Sequence, residues 1–187
     1  MKEKFNIIFL DIDGVLNGYN KWNLLGWNIV KRIKYKPLEL WYKRITKPFG
    51  IHESKVKRLA KIVKATNAKI VISSSWRYGW WNLPYEEQYE DQRRLTDLLN
   101  KYNIEVIGIT PALKSGARGK EIKSWLHKNR TIVRSFVILD DDVKDMHPYV
   151  DSFEFINTSN GLYSGLTNKH VDLAICKLQI KSLNYLL

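Results

Sequence analysis

The run Phe5-Asn-Ile-Ile-Phe-Leu10 leads straight into Asp11-Ile-Asp13-Gly14-Val-Leu16-Asn17. No other stretch narrows the possible folds as much. A nearly continuous apolar run of this length reads as a strand buried on both faces, the habit of parallel sheets covered by helices. Such a strand should not end in two carboxylates unless something offsets them, because an unpaired buried charge is very costly. A divalent cation at the strand end would do so, and oxygen-only ligands favour a hard ion such as Mg²⁺. Gly14 allows a tight turn away from that point. The alternative is an edge strand that runs into a solvated Asp-Gly turn.

The motif resembles the first signature of the haloacid dehalogenase (HAD) superfamily, DxDGT/V-L, on Asp11-Ile-Asp13-Gly14-Val15-Leu16. The resemblance implies that Asp11 is the nucleophile, forming an aspartyl-phosphate. It makes Asp13 the general acid/base, with a backbone carbonyl that also binds Mg²⁺. An acid at the second position favours a phosphatase over a dehalogenase.

Three later segments fall in the family's order. His52–Thr66 has apolar residues at helical spacing, with His52 or Ser54 as a possible cap and Asn67 at its end. Lys69–Ile72 is a short buried strand that completes a β-helix-β unit. It ends in Ser73-Ser74-Ser75-Trp76-Arg77, at the strand end where open α/β sheets bind ligands. The resemblance makes Ser74 the favoured phosphate ligand, with Ser73 second. Ser75 is a further contact, and Arg77 is a candidate for a substrate phosphate. The Ser-x-Trp-Arg context is similar to HAD domains of nucleic-acid repair proteins, of the polynucleotide kinase-phosphatase type. A cation near a helix start forms the third signature; Arg118 is the first choice, Lys120 the second and Lys114 the third. Ser135–Leu139 is a strand ending in Asp140-Asp141-Asp142-Val-Lys-Asp145. This resembles the fourth signature, with Asp140 and Asp141 as Mg²⁺ ligands beside Asp11 and Asp13, and Asp145 supporting the substrate site.

The rest of the chain is read as helices and strands of the same layer. Tyr85–Tyr102 is expected to be helical and Ile104–Ile109 to be a strand. A helix follows Arg118, a short strand spans Phe153–Ile156, and a last helix runs from Asn168 to about Leu178 behind a Thr167 or Asn168 cap. The expected architecture is therefore α/β: a HAD-like, Rossmannoid parallel sheet flanked by helices. At 187 residues, one domain over 1–187 is the simplest division.

Residues 17–50 are the least regular part. Trp22, Trp27, Tyr35, Trp41 and Tyr42 alternate with Lys21, Lys31, Arg32, Lys34, Lys36, Lys43, Arg44 and Lys47. A segment this long and this aromatic is neither a simple loop nor a disordered tail. By the resemblance it is a small C1-type cap over the site, with Trp22 and Trp27 as substrate contacts. Tyr78–Pro84 is a second aromatic loop expected beside the site.

Charge bears on the substrate. Lys plus Arg number 31 against 19 acids, a net charge of +12 with a pI near 9.7, which favours polyanionic partners. Basic residues would attract a nucleic-acid backbone and aromatic rings would stack on bases. The expected activity is a Mg²⁺-dependent phosphohydrolase that removes terminal phosphates from nucleic acid, 3′ more than 5′. A phosphatase of mononucleotides is the alternative, as is a non-catalytic nucleic-acid-binding module on the same scaffold. No apolar run approaches the ~20 residues of a membrane span. No signal-peptide core precedes the first strand, and no P-loop is present. The single Cys176 excludes an internal disulfide and is expected to be a buried structural thiol in a cytoplasmic protein.

Overall fold

The structure, a computed structural model, describes residues 3–17, 29–30, 32–38, 50–114, 116–159 and 165–183. Five strands, β1 (Phe5–Leu10), β2 (Lys69–Ile72), β3 (Val106–Ile109), β4 (Val133–Asp140) and β5 (Phe155–Asn157), form one sheet in the order β3-β2-β1-β4-β5. Every neighbouring pair is parallel. The helices are α1 (Glu53–Thr66), α2 (Arg77–Trp80), α3 (Glu90–Lys101), α4 (Arg118–Asn129), α5 (Val143–Met146) and α6 (Asn168–Leu183). This is the HAD-like α/β architecture expected from the sequence.

β1 sits in the middle because its side chains are apolar on both faces. Alternate residues of a strand point to opposite sides. Ile8 and Leu10 pack with Val56, Leu59 and Ile62 of α1, Leu95 and Leu98 of α3, and Val171, Ala174 and Leu178 of α6. Ile7 and Phe9 face the other layer, with Ile122 and Trp125 of α4 and Met146 of α5. The Phe9 ring meets Trp125 edge-on at 5.4 Å and Phe136 at 5.8 Å. Ile7, Ile8, Phe9 and Leu10 are all fully buried, each contributing about 1.5–3 kcal/mol by leaving water. Truncating Phe9 to Ala would cost about 3–5 kcal/mol.

Several expected boundaries move. The expected helix over Tyr85–Tyr102 is broken. A 3₁₀ turn spans Tyr85–Glu87, and α3 begins only at Glu90. Between them Gln88 is buried, where its Nε2 donates to the Leu83 carbonyl and its Oε1 accepts from Thr96 Oγ1. The Gln92 Oε1 accepts from the Tyr89 N–H, which starts the new helix. The third strand begins at Val106 rather than Ile104, and the fifth runs over Phe155–Asn157 because Phe153 is exposed. His52 precedes α1 without a side-chain cap, while Asn67 ends it in the left-handed conformation, φ 50°. At α6, Thr167 Oγ1 accepts from His170 N, and His170 Nδ1 accepts from Thr167 N.

Cys176 is exposed, not buried as expected. The buried residues of α6 are Val171, Ala174 and Leu178, and two positions beyond Ala174 is the opposite side of a 3.6-residue turn. Most of the cap expected over 17–50 lies outside the described residues; among those described, 29–30, 32–33 and 36–38 are helical. No described helix is long and apolar enough to cross a membrane.

Candidate active site

Because the strands are parallel and adjacent, their carboxyl ends deliver side chains to one edge. The ladder runs one residue past β1 and β2: Asp11 N donates to Leu139 O at 3.0 Å, and Ser73 N donates to Leu10 O at 2.8 Å. Asp11, Ser73 and Asp140 thus stand side by side at the ends of three central strands. Asp11 is 5% exposed and Asp140 1%. Asp11, Asp140 and Asp141 each offer a carboxylate oxygen, and these oxygens lie within 4.8 Å of one another.

The turn after β1 fits Asp141 tightly. Gly14 has φ +72°, and a Cβ there would lie 2.0 Å from Asp141 Cγ. The Asp141 carboxylate therefore packs directly on the Gly14 backbone. The turn is held by Asn17, whose Oδ1 accepts from Gly14 N at 3.0 Å. Thr158 fastens it from the other side, donating Oγ1 to Gly14 O at 2.9 Å while its own N–H donates to Asp140 O.

Asp13 leaves the acid cluster and points outward. Its Oδ1 accepts from Asn17 Nδ2 at 2.6 Å and its Oδ2 from Trp76 Nε1 at 3.0 Å. Both carboxylate oxygens are thus fixed by neutral donors from two different loops, which sets the direction in which the group faces.

Arg118 opens α4 and supplies the cation. Its Nη1 lies 2.8 Å from Asp11 Oδ1 and 3.3 Å from Asp140 Oδ2 and donates to Ser73 O at 2.6 Å. The helix start can come this close because residue 119 is glycine. A Cβ at Gly119 would meet Tyr149 Cβ at 2.8 Å and the Met146 carbonyl at 3.0 Å. Of the other two candidate cations, Lys120 lies over the Tyr149 ring at 5.0 Å, and Lys114 is exposed.

The serines divide by orientation. Ser74 is fully buried; its side chain hydrogen-bonds Asp11 and accepts from Trp76 N at 3.4 Å. Ser73 contributes its carbonyl to Arg118, and its buried Oγ has no hydrogen-bond partner among the described residues. Ser75 is exposed.

Arg77 is not free to meet a substrate phosphate. It is buried, with Nη2 2.7 Å from Glu121 Oε2 and Nη1 donating to Ser74 O at 2.8 Å. It positions the serine loop instead. The neighbouring aromatic loop is also partly committed to the core: Trp80 is buried and its Nε1 donates to Thr96 Oγ1. Asp145 lies close enough to favour the Arg118 charge. Trp22 and Trp27 lie outside the described residues. Asn17, Trp76, Glu121 and Thr158 hold these groups in place; Asn17 and Trp76 lie within the quoted stretches without a role assigned to them, and Glu121 and Thr158 lie outside them. The one local signal was Asn17, placed for an Asx-type bond to the Gly14 turn.

The electrostatics favour a cation. Burial pushes Asp140 up to about 8, with Asp11 raising it further and Arg118 opposing. Burial likewise raises Asp11 and Asp141 above the ordinary carboxylate range. Fully ionised, three carboxylates against one guanidinium would leave two uncompensated negative charges, so without a further cation the cluster holds on to protons. At the buried Asp11 Oδ1 the nearby positive group is Arg118, in an ion pair at 2.8 Å. A donor set made only of carboxylate oxygens, within 4.8 Å of one another, fits a hard divalent ion.

The family model described as the HAD domain in Swiss Army Knife RNA repair proteins matches residues 7–171. No curated protein and no solved structure matches the chain.

Proposed function

Since the chain belongs to the family of HAD domains in Swiss Army Knife RNA repair proteins, we propose that it is a Mg²⁺-dependent phosphohydrolase that removes terminal phosphates from nucleic acid, 3′ ends in preference to 5′. The observation that carries this reading is the meeting of Asp11, Asp140, Asp141 and Arg118 at the ends of adjacent parallel strands. Asp11, Asp140 and Asp141 would hold the metal, together with the Asp13 carbonyl. A divalent ion there would offset the repulsion between the Asp11 carboxylate and the substrate phosphate.

The chain's own residues then have distinct tasks. The Asp11 carboxylate attacks phosphorus, a new P–O bond forms, and the bond to the leaving oxygen breaks. Asp13 gives its proton to that oxygen. The aspartyl-phosphate so formed is hydrolysed when Asp13 takes a proton from water and the water attacks phosphorus, restoring the Asp11 carboxylate. One hard step becomes two easier ones. Ser74 and Arg118 hold the equatorial oxygens, where negative charge concentrates during transfer. Asn17 and Trp76 keep Asp13 aimed at the leaving group.

The preference for nucleic acid is supported by the family's description and by the net charge of +12. Phosphate release from matched 3′-phosphorylated and 5′-phosphorylated oligoribonucleotides and from mononucleotides, at several salt concentrations, tests it. The expected order is 3′-oligonucleotide, 5′-oligonucleotide, mononucleotide, with KM for the oligonucleotides rising steeply with salt. Turnover of mononucleotides alone, without salt dependence, would replace this reading by that of a nucleotide phosphatase.

A further inference from the structure

A groove of about 320 Å³ opens beside the serine loop, lined by Ser75, Trp76, Gly79, Tyr89, Asp91 and Gln92. Its position relative to the chemistry is fixed by one side chain. Trp76 forms part of its wall, and the same indole donates Nε1 to Asp13 Oδ2 at 3.0 Å. Under the mechanism above, Asp13 faces the leaving group. The groove therefore begins where the part of the substrate beyond the transferred phosphate must lie.

The lining chemistry selects what enters. Among the described residues no lysine or arginine lines the groove, and the charged one that does is Asp91. It is built to repel phosphate, in a protein that carries an excess of cations elsewhere. Two aromatic residues, Trp76 and Tyr89, belong to its lining. Tyr89 is 76% exposed, so its ring is open to a partner arriving from solvent. The far wall is rigid: Gln92 Nε2 donates to Gly79 O at 2.9 Å and Gln92 Oε1 accepts from Tyr89 N at 2.9 Å. Gly79 keeps the floor open, since a Cβ there would meet only the Gln92 amide at 3.7 Å. A groove lined by two aromatic residues and one carboxylate suits a flat heterocycle that carries amino groups.

We propose that this groove is a nucleobase subsite, which takes the base of the terminal nucleotide bearing the phosphate. The proposal rests on the phosphohydrolase reading above for the direction of the leaving group. The base stacks on Tyr89 and Trp76, and the Asp91 carboxylate accepts from exocyclic amino groups. The subsite would make the enzyme read the presence of a base at the end, while the basic surface holds the backbone.

The test separates the subsite from the reaction by measuring binding to a protein that cannot turn over. Asp11→Asn protein with Mg²⁺ is titrated against a labelled 3′-phosphorylated oligoribonucleotide, and against the same strand whose last nucleotide lacks its base. Stacking on an aromatic side chain accounts for roughly 1–3 kcal/mol per base, so the base-free end should bind about tenfold more weakly. In the same background, Tyr89→Ala should weaken binding of the normal end about tenfold and the base-free end less than twofold. Tyr89→Phe, which keeps the ring, should bind both like the parent. Equal affinity for the two ends, an equal loss from Tyr89→Ala on both, or no measurable binding of the normal end overturns the subsite. Turnover by the unsubstituted protein is scored separately. Base-dependent binding without turnover leaves the subsite standing and removes the phosphohydrolase reading, and turnover with base-independent binding does the reverse.

Discussion

Arg77 and Glu121 form an ion pair at 2.7 Å with side chains only 4% and 2% exposed, and it ties the serine loop to the loop before α4. Arg77 Nη1 also holds the Ser74 carbonyl, and Glu121 Oε1 accepts from Leu113 N at 3.0 Å. Removing one partner would leave the other charge buried and alone. Glu121→Ala should therefore lose about 3–5 kcal/mol in urea unfolding. The double variant Arg77→Met/Glu121→Leu should recover much of that loss, because no charge is stranded. If the double variant were as unstable as the sum of the single losses, the two side chains would act independently and the stranded-charge account would fail.

Under the proposed mechanism Asp11 and Asp13 have separable roles. Asp11→Asn should abolish phosphate release and leave oligonucleotide binding intact. Asp13→Asn should lower kcat by about 10²–10⁴. Single-turnover experiments that trap the phosphorylated protein would distinguish a block before the aspartyl-phosphate from one after it. Phosphate release that survived Asp11→Asn would rule out the nucleophile assigned here.

Arg118 is the cation nearest the acid cluster among the described residues, with Nη1 within 3.3 Å of both Asp11 and Asp140. Arg118→Ala should reduce kcat by about 10²–10³, the usual effect of deleting one donor to a developing anion. The same variant should melt at a lower temperature in chelator, since the carboxylates then repel unopposed. Millimolar Mg²⁺ should restore part of the difference. Thermal melts with and without the ion read this directly, and a melt insensitive to Mg²⁺ in both proteins would argue against the metal site.

Gly14→Ala probes the packing of Asp141. The left-handed backbone, φ +72°, costs a side-chain-bearing residue roughly 1–2 kcal/mol. The larger effect should be local. A Cβ 2.0 Å from Asp141 Cγ forces that carboxylate out of the cluster, so Mg²⁺ affinity by calorimetry should fall at least tenfold. Unchanged affinity would show that Asp141 is not a ligand.

Glu53 links stability to acid pH. Its carboxyl is held down to about 2, against an ordinary 4.5, by hydrogen bonds from Tyr102 and Lys101. A depressed folded value stabilises the protein fully above pH 4.5, and the contribution fades as pH falls through about 2. Glu53→Gln should flatten the stability curve over that window and leave the rest unchanged. The group is at the surface, so added salt should shrink the difference.

The parts of this molecule that the sequence made legible are those whose physics is local. Phe5–Leu10 announces a doubly covered strand because apolarity and carboxylates sit within a dozen consecutive residues. The same holds for β4 and Asp140-Asp141. Contacts between distant segments were not legible. Arg77 looked like a phosphate ligand because its partner, Glu121, lies on another helix. Trp76 became an Asp13 partner only when β1 and β2 were laid side by side. The break at Gln88 was hidden by an apolar stripe that continues across it, and the Thr158 hydroxyl reaches Gly14 from the far end of the chain. Even Cys176 was partly readable, since the spacing of Val171, Ala174 and Leu178 already placed it on the outer side.

The central position of β1 has a consequence for biosynthesis. The strand made earliest is flanked in the finished sheet by β2 on one side and by the much later β4 on the other. Asp11 therefore emerges from the ribosome long before Asp140, Asp141 and the Thr158 latch exist. Until β4 docks, Asp11 has neither the Asp140 and Asp141 carboxylates beside it nor the Thr158 hydrogen bond behind its turn. A nascent chain would be chemically silent, and competence would arrive in one late step, when the sheet closes around its oldest strand.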